Sequence, residues 1–449
     1  MDFQFTEQQE MLRATVRDFI DKECPKQLVR KWDEEHVFPM AVFEKLKQLG
    51  VFSIITPVEY GGSGGSIMDY TIITEELSRS GCWGLGSYFN AVIMYGTDMV
   101  LNCGSEEQKK YYLPKLAKGD LLFAYGITEP DSGSDAAAAK TMAVEQGDHY
   151  ILNGNKMFIT LADKADYTIT LARTDKNVAK HKGLSLFIVD TKSSGYAAKP
   201  IKKMGGFTDT TCEVVYDNVK VPKTHILGGP QAINQGWPLL LSTLETEHLE
   251  VAANSLGYAQ AAFDDSLQYA KDRHAFGQPI GKFQAISHML AEMAVDLHLA
   301  RLCVYQLAWL RSANKPCFKE ACMAKLVATE CWTNMAHRAM QVFGGYSLMY
   351  EYDVQRYLRD SYILLIGGGT RQIQKNMISK ALVFINIGIS CQHLLIRSRF
   401  TQFCVIYWGS NIRSSRGRLC MRVARNWWLQ YQMLVDLVYF HLPASAQTN

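Results

Sequence analysis

The stretch Tyr150-Ile151-Leu152-Asn153-Gly154-Asn155-Lys156-Met157-Phe158-Ile159 decides how the rest of this 449-residue chain is to be read. Two short apolar and aromatic runs flank Asn153-Gly154, a pair suited to the positive φ angles of a tight turn, and so predict a β-hairpin. Outward from it, Tyr167 to Arg173 alternates, Leu184 to Val189 is a short apolar run, and Cys212 to Val221 alternates again before Pro222. Short strands at this spacing predict a compact antiparallel β-domain over residues 120–228. On both sides of it the period is helical. Upstream, Thr6 and Gln9 make a capping box ahead of Leu12, Val16, Phe19 and Ile20, which share one helical face. A second run from Met40 to Leu49 stops at Gly50, the turn-rich Tyr60 to Gly65 interrupts, and helical text resumes as far as Leu116. Downstream of Gly229, Ile286, Leu290, Met293 and Leu297 step by four, three and four, and similar text fills Lys319 to Phe343. Long amphipathic segments with short joins imply a helix bundle. The expected class is therefore α+β: a helical domain over 1–119, the β-domain, a bundle over 229–384, and an unassigned tail over 385–449.

Composition narrows the function. Hydrophobic residues make up 48% and charged residues 20%, the balance of a chain with a large buried core. The net charge of +3 conceals an uneven spread, since the tail from Ile385 holds seven Arg, one Asp and no Lys or Glu. The remainder is thus net negative, which gives no footing for nucleic acid. Eleven cysteines occur without a Cys-x-x-Cys pair, the pattern of free thiols in a reducing compartment, and no metal site is expected. The first residues lack the layout of a signal or transit peptide, and the longest apolar stretch, Ala381 to Cys391, is too short to span a bilayer. A cytoplasmic protein with no clear membrane segment is expected. The tail reads as an extension outside the folded unit, with a basic membrane-surface helix as the other reading.

Six separated motifs carry a resemblance that covers Met1 to about Phe384. They are EYGG at Glu59–Gly62, YGITEPDSGSD at Tyr125–Asp135, NGNKMFIT at Asn153–Thr160, TCEVVYDNVKVP at Thr211–Pro222, DRHAFGQPI at Asp272–Ile280 and MQVFGGYS at Met340–Ser347. In this order they resemble the acyl-CoA dehydrogenase family. The resemblance implies a C-terminal four-helix bundle and FAD at the junction of the three domains. No G-x-G-x-x-G opens a βαβ unit, so a Rossmann site is not on offer. By the resemblance, Tyr125, Ile127, Thr128, Phe158 and Thr160 wall the isoalloxazine, Phe158 standing where many relatives carry Trp. Ser134 matches a position near the cofactor and CoA phosphates. Arg273 and Phe276 match pyrophosphate and adenine contacts, with Arg offering a fork for phosphate oxygens. Gln284 matches a further FAD contact, and Thr370 and Gln372 match positions after the glycine pair. Gln341 and Gly345 match positions that reach the FAD of a neighbouring subunit, which implies a homo-oligomer, dimer or tetramer. Taken singly, Thr128 also suits a strand end, Phe276 a core and Gly344-Gly345 a helix stop.

The resemblance also exposes a gap. Ile366–Gln374, IGGGTRQIQ, is similar to the family's C-terminal signature, but most members carry a catalytic glutamate where this chain has Gly368. The family reaction takes the α-proton of an acyl-CoA thioester with a carboxylate while the β-hydrogen leaves as hydride to flavin N5. A backbone N–H at the place of Gly368 binds the thioester oxygen, and glycine keeps that donor. Isovaleryl-type relatives carry the base on a bundle helix instead, and Leu244-Glu245-Thr246-Glu247-His248-Leu249 aligns with that pattern. Glu247 is the expected base. It shares a helical face with Val251 and Asn254, while Glu245 points about 160° away and Glu250, the rival, lies about 60° round. A solvated face bearing all three carboxylates is the plainer alternative. His248, also matched to substrate binding, stands where the family usually has Arg, so activity is expected to be weaker or more pH-dependent. Arg359-Asp360 is expected to buttress the signature loop. The expected activity is FAD-dependent acyl-CoA dehydrogenation with electrons passed to an electron-transfer flavoprotein. Other readings are an enoyl-CoA reductase akin to the bacterial carnitine-pathway crotonobetainyl-CoA reductases, an oxidase, or an impaired flavin-binding homologue.

Overall fold

The computed structural model describes residues 4–384; the arginine-rich tail, with its expected role, lies outside them. Residues through Val383 form one compact unit. The chain starts with α1 (Glu7–Glu23), whose Thr6–Gln9 capping box is present and whose Val16 and Ile20 are buried with Leu12 and Phe19 packed beside them. There follow α2 (Lys26–Glu35), α3 (Met40–Leu49) and α4 (Ile67–Arg79). The α3 helix stops at Gly50, whose φ of 78° suits glycine as the terminating residue. Next come α5 (Trp83–Val92), a π-helical turn at Ile93–Asp98, α6 (Met99–Cys103) and α7 (Glu106–Leu116).

The sheet has seven strands, β1 (Phe123–Gly126), β2 (Met142–Gln146), β3 (His149–Thr160), β4 (Tyr167–Arg173), β5 (Leu184–Asp190), β6 (Tyr196–Pro200) and β7 (Thr211–Pro222). Their order is β1-β4-β2-β3-β7-β6, with β5 against β4. Two expectations fail here. First, the sheet is mixed, because β1 pairs β4 in parallel from Phe123↔Tyr167 to Gly126↔Thr170. The long path through β2 and β3 lets the chain re-enter in the same direction. Second, Tyr150–Ile159 is no hairpin. It lies within the single twelve-residue β3, which pairs antiparallel with β7 and with β2. Asn153-Gly154 instead marks a shift of register between Leu152 and Gly154. A Cβ on Gly154 would come within 2.7 Å of the Thr141 Cα, so glycine serves a close approach in a bulge. The real hairpin turn is Gly147-Asp148 between β2 and β3, with Gly147 at φ 61°.

The second helical layer holds α8 (Gly236–Asp272), α9 (Gln284–Ser312), α10 (Phe318–Phe343), α11 (Val354–Ile366) and α12 (Arg371–Phe384). Leu290, Met293 and Leu297 enter the bundle core with Ile286 against it, as the spacing predicts. The 37-residue α8 packs on both α10 and α4, so its middle is enclosed and a charge placed there is withdrawn from water. No described helix is long and apolar enough to cross a membrane, and all eight cysteines among the described residues are free.

Candidate active site

The middle of α8 carries Glu247 opposite the loop that joins α11 to α12. Gly368 and Gly369 in that loop sit at φ 62° and 87°, conformations that glycine adopts without a Cβ penalty. A Cβ on Gly368 would lie 3.5 Å from Glu247 Oε1 and 3.3 Å from Val251 Cγ2. The space next to the missing loop side chain is thus taken by the Glu247 carboxylate, and Glu247 and Val251 do share a face. Glu247 accepts no hydrogen bond among the described residues. Burial pushes its carboxyl up to about 7, opposed by the positive charge of Lys325.

Glu250 is held differently. It is 5% exposed, and the amides of Asn90 and Asn254 both donate to its Oε1. Asn90 accepts from the Tyr70 hydroxyl at 3.2 Å and Asn254 from the Ser78 hydroxyl at 2.6 Å, so the carboxyl is tied into a buried network across α4, α5 and α8. Burial, then the charge of Glu247, push it up to about 8. Glu245 turns to Arg311, 2.9 Å away. The three carboxylates are therefore not one solvated face.

His248 corrects an expectation. It is 1% exposed, with Gln374 Nε2 3.2 Å from its Nε2 and Cys322 Sγ 3.9 Å from its Nδ1. Burial and then the nearby Lys325 push it down to about 3, so the ring is neutral at physiological pH and no titratable cation stands there. Arg359-Asp360 is also misassigned. Arg359 pairs with Asp33 at 2.7 Å and lies over the Phe207 ring, and Asp360 accepts from the Gly206 N–H at 2.6 Å. This pair braces α2 and the loop before β7, not the glycine loop.

Two residues the sequence reading passed over hold that loop. Lys325 of α10, fully buried, donates to the Gly369 carbonyl at 2.8 Å. Gln374 Nε2 donates to the carbonyls of Gly368 at 3.2 Å and Gly369 at 3.3 Å. The signal for Lys325 was available, as it is the one charge in the apolar run Ala321–Ala328.

The β-domain supplies the facing wall. Tyr125 on β1 stacks on Tyr95 at 5.3 Å, its hydroxyl is buried with no hydrogen-bond partner among the described residues, and burial followed by Glu247's charge holds its pKa well above the usual phenol. Tyr125 and Glu247 therefore address one space. The strand β3 is tied to the Ile127–Glu129 turn by Met157 N–H to Thr128 O at 2.9 Å and by Lys156, which meets Glu129 at 2.8 Å and the Ile127 carbonyl at 3.0 Å. Next to this clamp Phe158 has φ 63° and stands 63% exposed. A non-glycine aromatic in that conformation stores strain, which concentrates where a ligand is to be met. Thr128 and Thr160 are half-buried near it.

A second grouping lies at the end of the bundle. Arg273 and Gly345 line one cavity of about 510 Å³ with Tyr269, Phe343, Gly344 and Tyr346. Arg273 lies over the Tyr346 ring at 5.3 Å and makes no ion pair among the described residues. Phe276, at φ 51°, is 96% exposed. Ser134, Gln284, Gln341 and Gln372 are exposed and do not line that cavity, and Thr370 caps the start of α12 through Ile373 N–H at 3.3 Å. A buried phenol, two strained exposed aromatics and an arginine over a cavity with no ion pair among the described residues are groups of the kind a flavin dinucleotide uses.

Three family models match in order: the acyl-CoA dehydrogenase N-terminal domain at residues 6–120, the middle domain at 124–219 and the C-terminal domain at 234–383. The chain is 41% identical over 384 residues to the probable acyl-CoA dehydrogenase YngJ of Bacillus subtilis, covering 85% of this chain and all of that one. It is 39% identical to the caffeyl-CoA reductase-Etf complex subunit CarC of Acetobacterium woodii, over 84% and 99% of the two chains. Butyryl-CoA dehydrogenase from Megasphaera elsdenii superposes with a TM-score of 0.81 at 34% identity, over 85% and 100%. Fold and site together define an FAD-dependent oxidoreductase acting on CH–CH groups. The chain belongs to the acyl-CoA dehydrogenase family.

Proposed function

We propose that this chain interconverts an acyl-CoA and its α,β-unsaturated counterpart, with Glu247 as the base for the α-proton and the Gly368 N–H as donor to the thioester oxygen. The observation that carries the reading is the 3.5 Å between Glu247 Oε1 and the place of a Gly368 Cβ, which sets the carboxylate beside the loop donor. FAD, when bound, supplies the acceptor for the β-hydrogen at its N5. The protein's own work is acid–base and electrostatic. A carboxyl at about 7 is partly ionised at neutral pH and keeps more affinity for a proton than an ordinary glutamate, as a general base should. A loop donor held in place on its carbonyl side stabilises enolate charge without reorganising at the moment of reaction. Activity rises with pH through about 7, because the base must be deprotonated.

Electrons pass to an electron-transfer flavoprotein in this reading, supported by the Etf complex named for CarC. That relative's reductase name also supports the opposite direction, saturation of an enoyl-CoA, over the same atoms. A homotetramer, a cytoplasmic setting, a place in fatty acid metabolism and domain spans of 1–119, 120–228 and 229–384 complete the proposal. The impaired-homologue reading is disfavoured by a desolvated carboxylate next to the vacated loop position. The test is Glu247→Gln in the FAD-loaded enzyme, assayed by single-turnover flavin reduction with a panel of acyl-CoAs. A fall of about 10³-fold is expected; an unchanged rate removes Glu247 from the role.

A further inference from the structure

We propose that Lys325 is the positioning residue of this site, pinning the Gly368–Gly369 loop through the Gly369 carbonyl and setting a positive charge beside Glu247. The proposal rests on the reading of Glu247 as the base. Its geometry is independent of that reading. One point, a Cβ on Gly368, lies 3.5 Å from Glu247 Oε1 and 3.9 Å from Lys325 Cε, so carboxylate and lysine stem flank the same glycine. The ammonium donates to Gly369 O at 2.8 Å, its one hydrogen bond among the described residues, which leaves two N–H donors unused.

Burying an ammonium is costly, and nothing in the packing of α10 asks for one. Its neighbours Ala321, Cys322, Ala324 and Ala328 are buried and small, so an uncharged side chain would suit the helix as well. The charge is retained for what it faces. The titratable groups around it are Glu247, His248 and Glu250 of α8, with Tyr125 of β1 and Tyr95 of the π-helical turn facing Glu247 from the other side. His248 cannot replace it, because that ring is neutral and engaged with Gln374. Lys325 is thus the cation of the rung, and the residue next to the base in sequence is not.

Two consequences separate this role from plain packing. Without the charge, burial alone acts on Glu247 and its carboxyl rises further. Without the hydrogen bond, the Gly369 carbonyl keeps only the longer contact from Gln374 at 3.3 Å, and the Gly368 N–H loses its fixed direction.

The test compares Lys325→Met, Lys325→Gln and Lys325→Arg in the FAD-loaded enzyme. The acidic limb of kcat/KM is expected to move up by about one pH unit in Met and Gln and to stay in place in Arg. An unmoved limb in Met and Gln overturns the proposal, and if Met does not fold, Gln and Arg decide. A second readout needs no turnover. In the Glu247→Gln background, affinity for an acyl-CoA thioester is compared with that for the thioether analogue lacking the carbonyl oxygen. Adding Lys325→Met is expected to weaken thioester binding about tenfold, or about 1.4 kcal/mol, and to spare the thioether. Equal loss for both ligands overturns the positioning role. Failure of the Glu247 reading is seen elsewhere, as full activity of Glu247→Gln with Lys325 intact.

Discussion

Two lysine–glutamate groupings, one in the β-domain and one in the bundle, are alike in composition and opposite in behaviour. In the β-domain, Lys156 meets Glu129 at 2.8 Å, and the same carboxylate accepts backbone N–H groups of Lys140 at 2.6 Å and Thr141 at 2.9 Å. Burial pushes Glu129 upward, yet the charge and hydrogen bond of Lys156, with hydrogen bonding from Lys140 and Thr141, carry it below the usual glutamate value. On α8, Glu247 accepts no hydrogen bond among the described residues and ends near 7. Both lysines are brought down to about 8 by burial. The difference is saturation. A buried carboxylate with its lone pairs filled fixes the chain, here the turn that carries Ile127 and Thr128 against the strand that carries Phe158. A half-buried, desolvated carboxylate left unfilled retains affinity for a proton, which suits chemistry.

The contrast breaks if the two groupings respond alike to substitution. The largest effect is expected at Lys156→Met, which strands Glu129 and costs about 3–5 kcal/mol in denaturant unfolding. A loss under about 1 kcal/mol would place that pair with the weak surface bridges. Glu247→Gln is expected to act in the opposite sense. Its folded-state pKa lies above the unfolded one, so the native state binds the extra proton, and stability falls as pH rises from about 4.5 to about 7. The neutral amide removes that loss, and the variant is expected to gain about 1–3 kcal/mol at alkaline pH and nothing under acid conditions. Equal unfolding midpoints at both ends of the range would contradict an unfilled, desolvated carboxylate. The smallest effect is expected beside the first grouping, at Phe158→Gly. Relief of its φ of 63° is worth about 1 kcal/mol to the flavin-free fold, while FAD is held more weakly. Unchanged stability with unchanged FAD retention would show that neither strain nor ring contact resides there.

Much of the fold was legible because it is written locally. The cap at Thr6, the stop at Gly50, the period of α9 and the alternation of β7 each involve residues a few places apart, whereas the alternating text of β4 belongs to a strand buried on both faces. The parallel β1–β4 pairing was not legible, since nothing in either strand records its distant partner. Asn153-Gly154 misled because turn-forming residues also serve bulges, and the true turn at Gly147-Asp148 sits among polar neighbours that hide the strand ends. The placement of Glu247 beside Gly368 was legible from its match to the bundle-helix pattern and from the residue missing at Gly368. His248 was read as a titratable group because burial does not show in sequence, and burial decides whether an imidazole titrates in the physiological range. Arg359-Asp360 was placed on the nearest loop in sequence, whereas long side chains reach what is near in space. Lys325 lay open as a single charge in an apolar run, although its target, the Gly369 carbonyl, is supplied by another element.

Exchange of the α-hydrogen reports which carboxylate takes the proton, and it reports that step alone. The FAD-loaded protein is incubated with an acyl-CoA in deuterated water, and α-deuterium incorporation is followed by NMR for the parent, Glu247→Gln and Glu250→Gln. Exchange is expected to vanish in Glu247→Gln and to persist in Glu250→Gln, whose carboxyl is bound up with Asn90 and Asn254. Exchange that survives in Glu247→Gln, or disappears in Glu250→Gln alone, would contradict Glu247 as the base.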